Sequence, residues 1–141
     1  MALRLSSEVF EVRTKHPFTI ARGTSDAVRR VWVRLTDGDG AEGWGEADPS
    51  WYYGETADTV VAALARLEPV LPADAFELEA AETAMLRALA GNAAARVAVS
   101  AALHDLVGKR LGVPLWRLWG LDPARAPVSS SSPVPGYHGH W

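Results

Sequence analysis

Apolar residues along this chain recur at every second position up to residue 47, and at every third or fourth position after Thr56. Side chains alternate across a strand but return to one helix face after 3.6 residues, so the change of period dictates a sheet followed by helices. In Val31-Trp32-Val33-Arg34-Leu35 the odd positions are aliphatic, while Trp32 and Arg34 point to the other face. Asp37-Gly38-Asp39-Gly40 supplies turn residues that tolerate positive φ, and Ala41 to Ala47 returns as a second strand, making a hairpin. Upstream, Leu3 to Arg13 makes a third strand. Leu3, Leu5 and Val9 share one parity, Phe10 and Val12 the other, which predicts a bulge near Glu8 to Phe10. Lys15 to Asp26, with Pro17 and Gly23 at its shoulders, reads as a long connection, and loops of that length are functional or disordered.

Beyond Thr56, Val60, Leu64 and Leu67 form one helical stripe that Pro69 and Pro72 terminate. Asp74-Ala75-Phe76-Glu77 has the form of a capping box opening a second helix, with Leu78, Ala81, Met85 and Leu89 as its stripe. Gly91-Asn92 stops that helix, and Asn92 is placed to cap a third from about Ala93 to Leu111. Six alanines between Ala93 and Ala102 let neighbours approach this helix closely, while Val99, Leu103, Leu106 and Val107 supply bulk. Asp105 and Lys109 stand at i,i+4 in the favourable order. Gly112 ends the helix, and Pro114 opens a short turn carrying Leu115, Trp116, Leu118 and Trp119. From Ala124 onward the composition falls to mostly Pro, Ser, Gly and Ala, which reads as a linker or tail.

At 141 residues the chain suffices for one domain. A net charge of -3 without any basic run or stripe argues against nucleic acid as a partner. Zero cysteines exclude a disulfide scaffold, a thiol nucleophile and a cysteine-ligated metal. The N-terminus lacks the apolar core of a signal peptide and no window approaches 18 apolar residues, so the expected setting is cytoplasmic, without membrane contact.

The densest stretch runs from Gly43-Trp44-Gly45-Glu46-Ala47-Asp48-Pro49 into Ser50-Trp51-Tyr52-Tyr53-Gly54-Glu55-Thr56. An indole and two phenols in series after a proline cannot all face inward, so the loop reads as a lid over something. Other motifs give way to structural readings. Gly38-x-Gly40-x-x-Gly43 precedes strand and proline rather than a helix, so it is a hairpin turn and no dinucleotide fingerprint. Asp37-x-Asp39 lacks the later calcium-loop positions and reads as a solvated turn. Glu46 and Asp48 end a strand, where paired carboxylates suit acid–base work, but they are expected to hold the corner by accepting backbone N–H bonds. His104 reads as a helix-surface or interface residue. Ser100, His104 and Asp105 share one helix and cannot converge as a nucleophilic triad. His138 and His140 lack nearby acids and make no evolved metal site. Arg22 is a candidate carboxylate clamp, because its planar fork matches that anion.

Taken together, the meander, the Gly43-Trp44-Gly45-Glu46-Ala47 strand, the Tyr52-Tyr53-Gly54-Glu55-Thr56 loop and the run from Ala102 to Leu115 resemble a known domain. It is the N-terminal capping domain of the enolase superfamily, of mandelate racemase and muconate-lactonizing type. Pro17 to Gly23 with Tyr52 to Glu55 is most similar to the dipeptide epimerases that act on L-Ala-D/L-Glu. The resemblance implies an α+β fold: a three-stranded antiparallel meander followed by an antiparallel helical bundle. It implies a capping domain over residues 1–122, with 123–141 a Pro/Ser/Gly-rich tail in place of a barrel start. Two loops, Phe18 to Asp26 and Pro49 to Thr56, would select the substrate, a dipeptide or N-acyl amino acid. Phe18, Ile20, Arg22, Trp51, Tyr52 and Tyr53 would line the pocket, with Arg22 on a substrate carboxylate. In such enzymes the barrel supplies two lysines and the acids that hold Mg²⁺. A barrel takes roughly 200 residues or more, and the 20 residues after Leu121 hold no lysine and no acid but Asp122. The expectation is therefore a truncated cap with no catalytic or metal-binding residue of its own, inactive alone. Its partners would be a barrel domain and, in the intact enzyme, further copies in a homo-oligomer.

Overall fold

A computed structural model of the protein describes residues 3–20 and 23–126, with the backbone alone for residues 16–20 and 23–26. The period-two region forms one antiparallel sheet in the order β1 (Arg4–Ile20), β2 (Gly23–Thr36), β3 (Glu42–Ala47). Val31, Val33 and Leu35 of β2 are wholly buried on one face, as their parity requires. The β2–β3 turn closes through the Asp37 side chain, whose Oδ1 accepts from Asp39 N (3.0 Å) and Ala41 N (2.9 Å). Gly40 takes the positive φ, 83°, that ends the turn.

Two expectations for β1 need correction. The register with β2 runs unbroken from Arg4↔Thr36 to Arg13↔Ala27, so there is no bulge at Glu8 to Phe10. The parity change arises because both faces of the sheet carry apolar residues: Leu3 and Val9 belong to the core side, whereas Phe10 packs on Trp32 on the opposite face. Nor is the segment from Lys15 to Asp26 an open loop. After an irregularity between Arg13 and Phe18, pairing resumes at Phe18↔Ser25, Thr19↔Thr24 and Ile20↔Gly23. Pro17, which has no N–H to give a ladder, lies within the irregular stretch, and β-branched Thr19, Ile20 and Thr24 favour the pairing beyond it.

Helices α1 (Ala57–Leu67) and α3 (Ala93–Leu111) cover the aliphatic face of the sheet, α2 (Leu78–Ala88) packs on both of them, and the short α4 (Leu115–Leu118) follows. The expected stripes are inside: Val60, Leu64 and Leu67 from α1, Ala81 and Met85 from α2, and Val99, Leu103 and Leu106 from α3. Each fully buried Leu or Val contributes about 1.5–3 kcal/mol relative to exposure, so this one core dominates the stability of the domain. The alanines of α3 serve proximity instead. A Cβ built on Gly43 would lie 2.0 Å from Ala102 O, and one on Gly45 would lie 2.0 Å from Ala98 O. Strand and helix backbones meet there because neither glycine carries a side chain.

The exposed edge of β3 is bonded by side chains of α3. Trp44 N–H donates to Asp105 Oδ2 (2.8 Å), and Lys109 Nζ donates to Glu42 O (3.0 Å) and to Asp105 Oδ2 (2.6 Å). The expected i,i+4 pair therefore also joins helix to strand. Two caps differ from expectation. Asp74 Oδ1 accepts from Phe76 N (2.9 Å), forming a local turn, and α2 begins at Leu78 with no side-chain cap. Asn92 occupies the residue before α3, but its φ of 45° is left-handed and its side chain makes no cap. A capping side chain needs an extended backbone to reach the second or third amide, which that conformation denies.

Candidate functional site

Between β3 and α1 the chain makes a single 3-10 turn, Trp51–Tyr53. Pro49 stops the strand because it lacks a donor. Ser50 O then accepts from Tyr53 N (3.0 Å) and Glu55 N (3.1 Å). Gly54, at φ 73°, closes the turn by donating to Trp51 O (2.9 Å). Trp51, Tyr52 and Tyr53 are 72%, 54% and 74% exposed, and of the other large aromatics described only Trp119, at 55%, matches Tyr52. Their rings stack edge to face in series, at centroid distances of 6.1 and 5.2 Å. The expected aromatic loop is thus an ordered projection whose rings support one another.

Its stem is charged. Arg30 of β2 donates to Glu46 Oε1 and, at 3.3 Å, to Asp48 Oδ2. This corrects the expectation for Glu46 and Asp48, which accept from a guanidinium rather than from backbone amides. A fork with several donors facing two carboxylates favours that arrangement. The Arg30 Nε is buried without a partner. On the far side of the turn Glu55 is the single buried charged residue among those described, at 8% exposure. Its Oε2 faces Ser50 N (3.5 Å) and its Oε1 faces Ala94 N (3.4 Å) at the start of α3. Thr56 follows at once, and its hydroxyl and that of Thr59 form a capping box on α1.

Of the other sequence candidates, Phe18 and Ile20 lie on the distal part of β1, and Arg22 lies outside the described residues. His138 and His140 also lie outside them. His104 Nδ1 bonds to Ser100 O (2.9 Å) and its ring meets Trp119 edge to face at 5.6 Å, while Asp105 is committed to Trp44 and Lys109. The three make no triad. The β2–β3 turn is exposed at Gly38, Asp39 and Gly40, as expected, and Arg110 reaches Asp37 Oδ2 (3.2 Å) and Asp39 Oδ2 (2.6 Å). The hydrogen bond that Arg110 donates to Asp39, then the charge of Asp37, raise its guanidinium above its ordinary value.

Arg30 and Glu55 escaped the sequence reading, which places only Trp32 and Arg34 on the outer sheet face. There Phe10, Trp32 and Trp44 stack in series at 5.3 and 5.6 Å, with Arg34 5.6 Å over Trp44. They border a shallow hollow of about 550 Å³. The shared even parity of Phe10, Trp32 and Trp44 in three neighbouring strands was the available signal. The fit to a Mg²⁺ ion is poor: among the described residues no three Asp, Glu or His are gathered to hold a metal, and the acids Glu46 and Asp48 already serve Arg30. Among the described residues no helix is long and apolar enough to cross a membrane.

A three-stranded antiparallel meander roofed by helices, with an aromatic turn at the sheet–helix junction, defines an α+β domain. Residues 4–120 match the mandelate racemase / muconate lactonizing enzyme N-terminal domain, and the chain belongs to that family. It is similar to an L-Ala-D/L-Glu epimerase of Bacteroides thetaiotaomicron, with 35% identity over 86% of this chain and 31% of that protein. Two solved structures share the fold. A dipeptide epimerase of Cytophaga hutchinsonii, complexed with Mg and D-Ala-L-Val, superposes with a TM-score of 0.80 at 26% identity, over 89% of this chain and 35% of that one. A 2-chloromuconate cycloisomerase of Rhodococcus opacus gives a TM-score of 0.79 at 28% identity, over 86% and 34%. The chain thus spans about a third of the length of the relatives it matches.

Proposed function

We propose that this chain is the substrate-selecting cap of a Mg²⁺-dependent dipeptide epimerase, an isomerase moving a proton at an amino-acid α-carbon. The observation that carries the reading is the exposed Trp51–Tyr53 turn, held in order on the scaffold of the family's N-terminal domain. Aromatic side chains that remain ordered in water are suited to enclosing a ligand side chain and excluding solvent once a second surface closes on them. In this reading Trp51, Tyr52 and Tyr53 form one wall of the pocket, and Phe18, Ile20 and Arg22 supply the other. A barrel domain, later in a longer polypeptide or on a separate one, supplies the acid–base groups and the metal. The half-exposed Trp116 and Trp119 are the candidates for the side facing it. A cytoplasmic setting and assembly into homo-oligomers belong to the same proposal.

The test compares the 141-residue protein with a chimera in which a dipeptide-epimerase barrel follows Asp122. Each is incubated with L-Ala-L-Glu and Mg²⁺ in D₂O, and α-proton exchange is followed by NMR. Exchange is expected in the chimera and not in the short chain, and Trp51→Ala or Tyr53→Ala is expected to change which dipeptides the chimera accepts. Exchange by the short chain alone, or a chimera indifferent to the aromatic turn, would overturn the reading. The cycloisomerase likeness supports a second reading, a cap for cycloisomerase or N-acylamino acid racemase chemistry, which predicts turnover of those substrates by the matching chimera. A binding module without catalysis predicts calorimetric binding of an acidic peptide by the short chain, without metal.

A further inference from the structure

We infer that Glu55 is a positioning residue: its carboxylate clasps the aromatic turn to the first turn of α3 and thereby fixes how Trp51, Tyr52 and Tyr53 are presented. This rests on the reading of the turn as a specificity element, and it adds the device that holds it.

Four observations converge. Glu55 is 8% exposed, and burying a carboxylate is costly unless its oxygens are engaged. Both oxygens face backbone amides, Oε2 that of Ser50 before the turn and Oε1 that of Ala94 in α3. At 3.5 and 3.4 Å these bonds are long, but the acceptor is charged and Ala94 N–H belongs to a helix N-terminus, where negative charge is favoured. The Glu55 backbone N–H also donates to Ser50 O (3.1 Å), so main chain and side chain both return to the residue that opens the turn. Finally, Asn92 leaves the start of α3 without a side-chain cap, so the Glu55 carboxylate occupies a position the local sequence does not fill.

The consequence is mechanical. On one side, Arg30 anchors the chain at Asp48 to β2; on the other, Glu55 anchors it to α3. The turn is thus spanned between the sheet and the longest helix, and α3 is itself pressed on β3 at Gly43 and Gly45. Glutamine keeps the shape of Glu55 but removes the charge and leaves one accepting oxygen, so it separates the clasp from mere space filling.

The experiment has two arms. In the 141-residue chain, amide exchange is measured by NMR for wild type, Glu55→Gln and Glu55→Ala. Exchange at Ser50 or Ala94 is expected to rise ~10-fold or more in Glu55→Gln, the factor for about 1.4 kcal/mol, while the amide of Val33 in β2 stays protected. Unchanged exchange at both amides would overturn the clasp. In the barrel chimera, Glu55→Gln is expected to raise KM for L-Ala-L-Glu several-fold with a smaller change in kcat, and to blur selectivity among dipeptides as Tyr53→Ala does. Raised exchange with unaltered KM and selectivity would overturn the positioning role. If the wild-type chimera handles no dipeptide, the functional reading fails, and exchange at Ser50 and Ala94 alone decides the clasp. Should Glu55→Ala not fold, the glutamine variant carries both arms.

Discussion

A methyl group added at Gly45 would stand 2.0 Å from Ala98 O and 3.1 Å from Ala102 N. Both are helix backbone atoms and cannot rotate aside, so strand or helix must shift. Gly45→Ala is therefore expected to cost roughly 1–3 kcal/mol or more, the range for an overfilled interior. The measurement is a fall in the urea midpoint at constant slope. Gly40→Asn is the control: a Cβ there meets nothing within 4 Å, and asparagine accepts the positive φ the turn requires, so stability should hardly move. The glycines were visible in the sequence as a spaced pair in a strand, and the alanines as a slim helix. That the two would be pressed together was not visible, because a residue without a side chain leaves no mark of what approaches it. Glu46, Asp48 and Glu55 show the same limit. Their chemistry is plain from the letters, but their partners are 16, 18 and 39 residues away, at Arg30 and Ala94.

Among the elements, α1 was the most legible, since start signal, stripe and proline stop agree. Its capping box makes a direct prediction: Thr56→Ala should destabilise the domain by about 1 kcal/mol. Faster amide exchange should be confined to the first turn of α1, where Thr59 N–H loses its acceptor. The same residue types misled at α2 and α3. Asp74 and Asn92 are good capping residues, but Asp74 spends its carboxylate on Phe76 N and Asn92 is left-handed. Short polar side chains serve turns and caps equally well, and the backbone decides between the two. The distal parts of β1 and β2 were read as loop for a related reason. Pro17 and Gly23 punctuate the sequence strongly, and strand propensity in Thr19, Ile20 and Thr24 is a weaker signal than punctuation until a partner strand is known.

At the scale of the whole molecule, one short segment after α3 is dense in exposed apolar side chains. Trp116, Leu118, Trp119 and Leu121 are 42%, 38%, 55% and 55% exposed within six residues. Where such side chains join in one patch, it marks contact with another body. The folded chain is expected to bind a hydrophobic dye and to self-associate as concentration rises, followed by light scattering. Trp116→Gln with Trp119→Gln should suppress both without lowering the melting temperature, since neither ring is in the core. The Asp105–Lys109 pair has a consequence at this scale as well. An outermost strand is a template on which foreign backbone can polymerise. Along β3 that template is blunted, with Trp44 N–H and Glu42 O already taken, and on the opposite margin Glu68 Oε1 takes Leu5 N–H at 2.9 Å. A recruited strand from another molecule would have to enter alongside β1 beyond Leu5, so fibril-like stacking through both margins at once is closed to this fold.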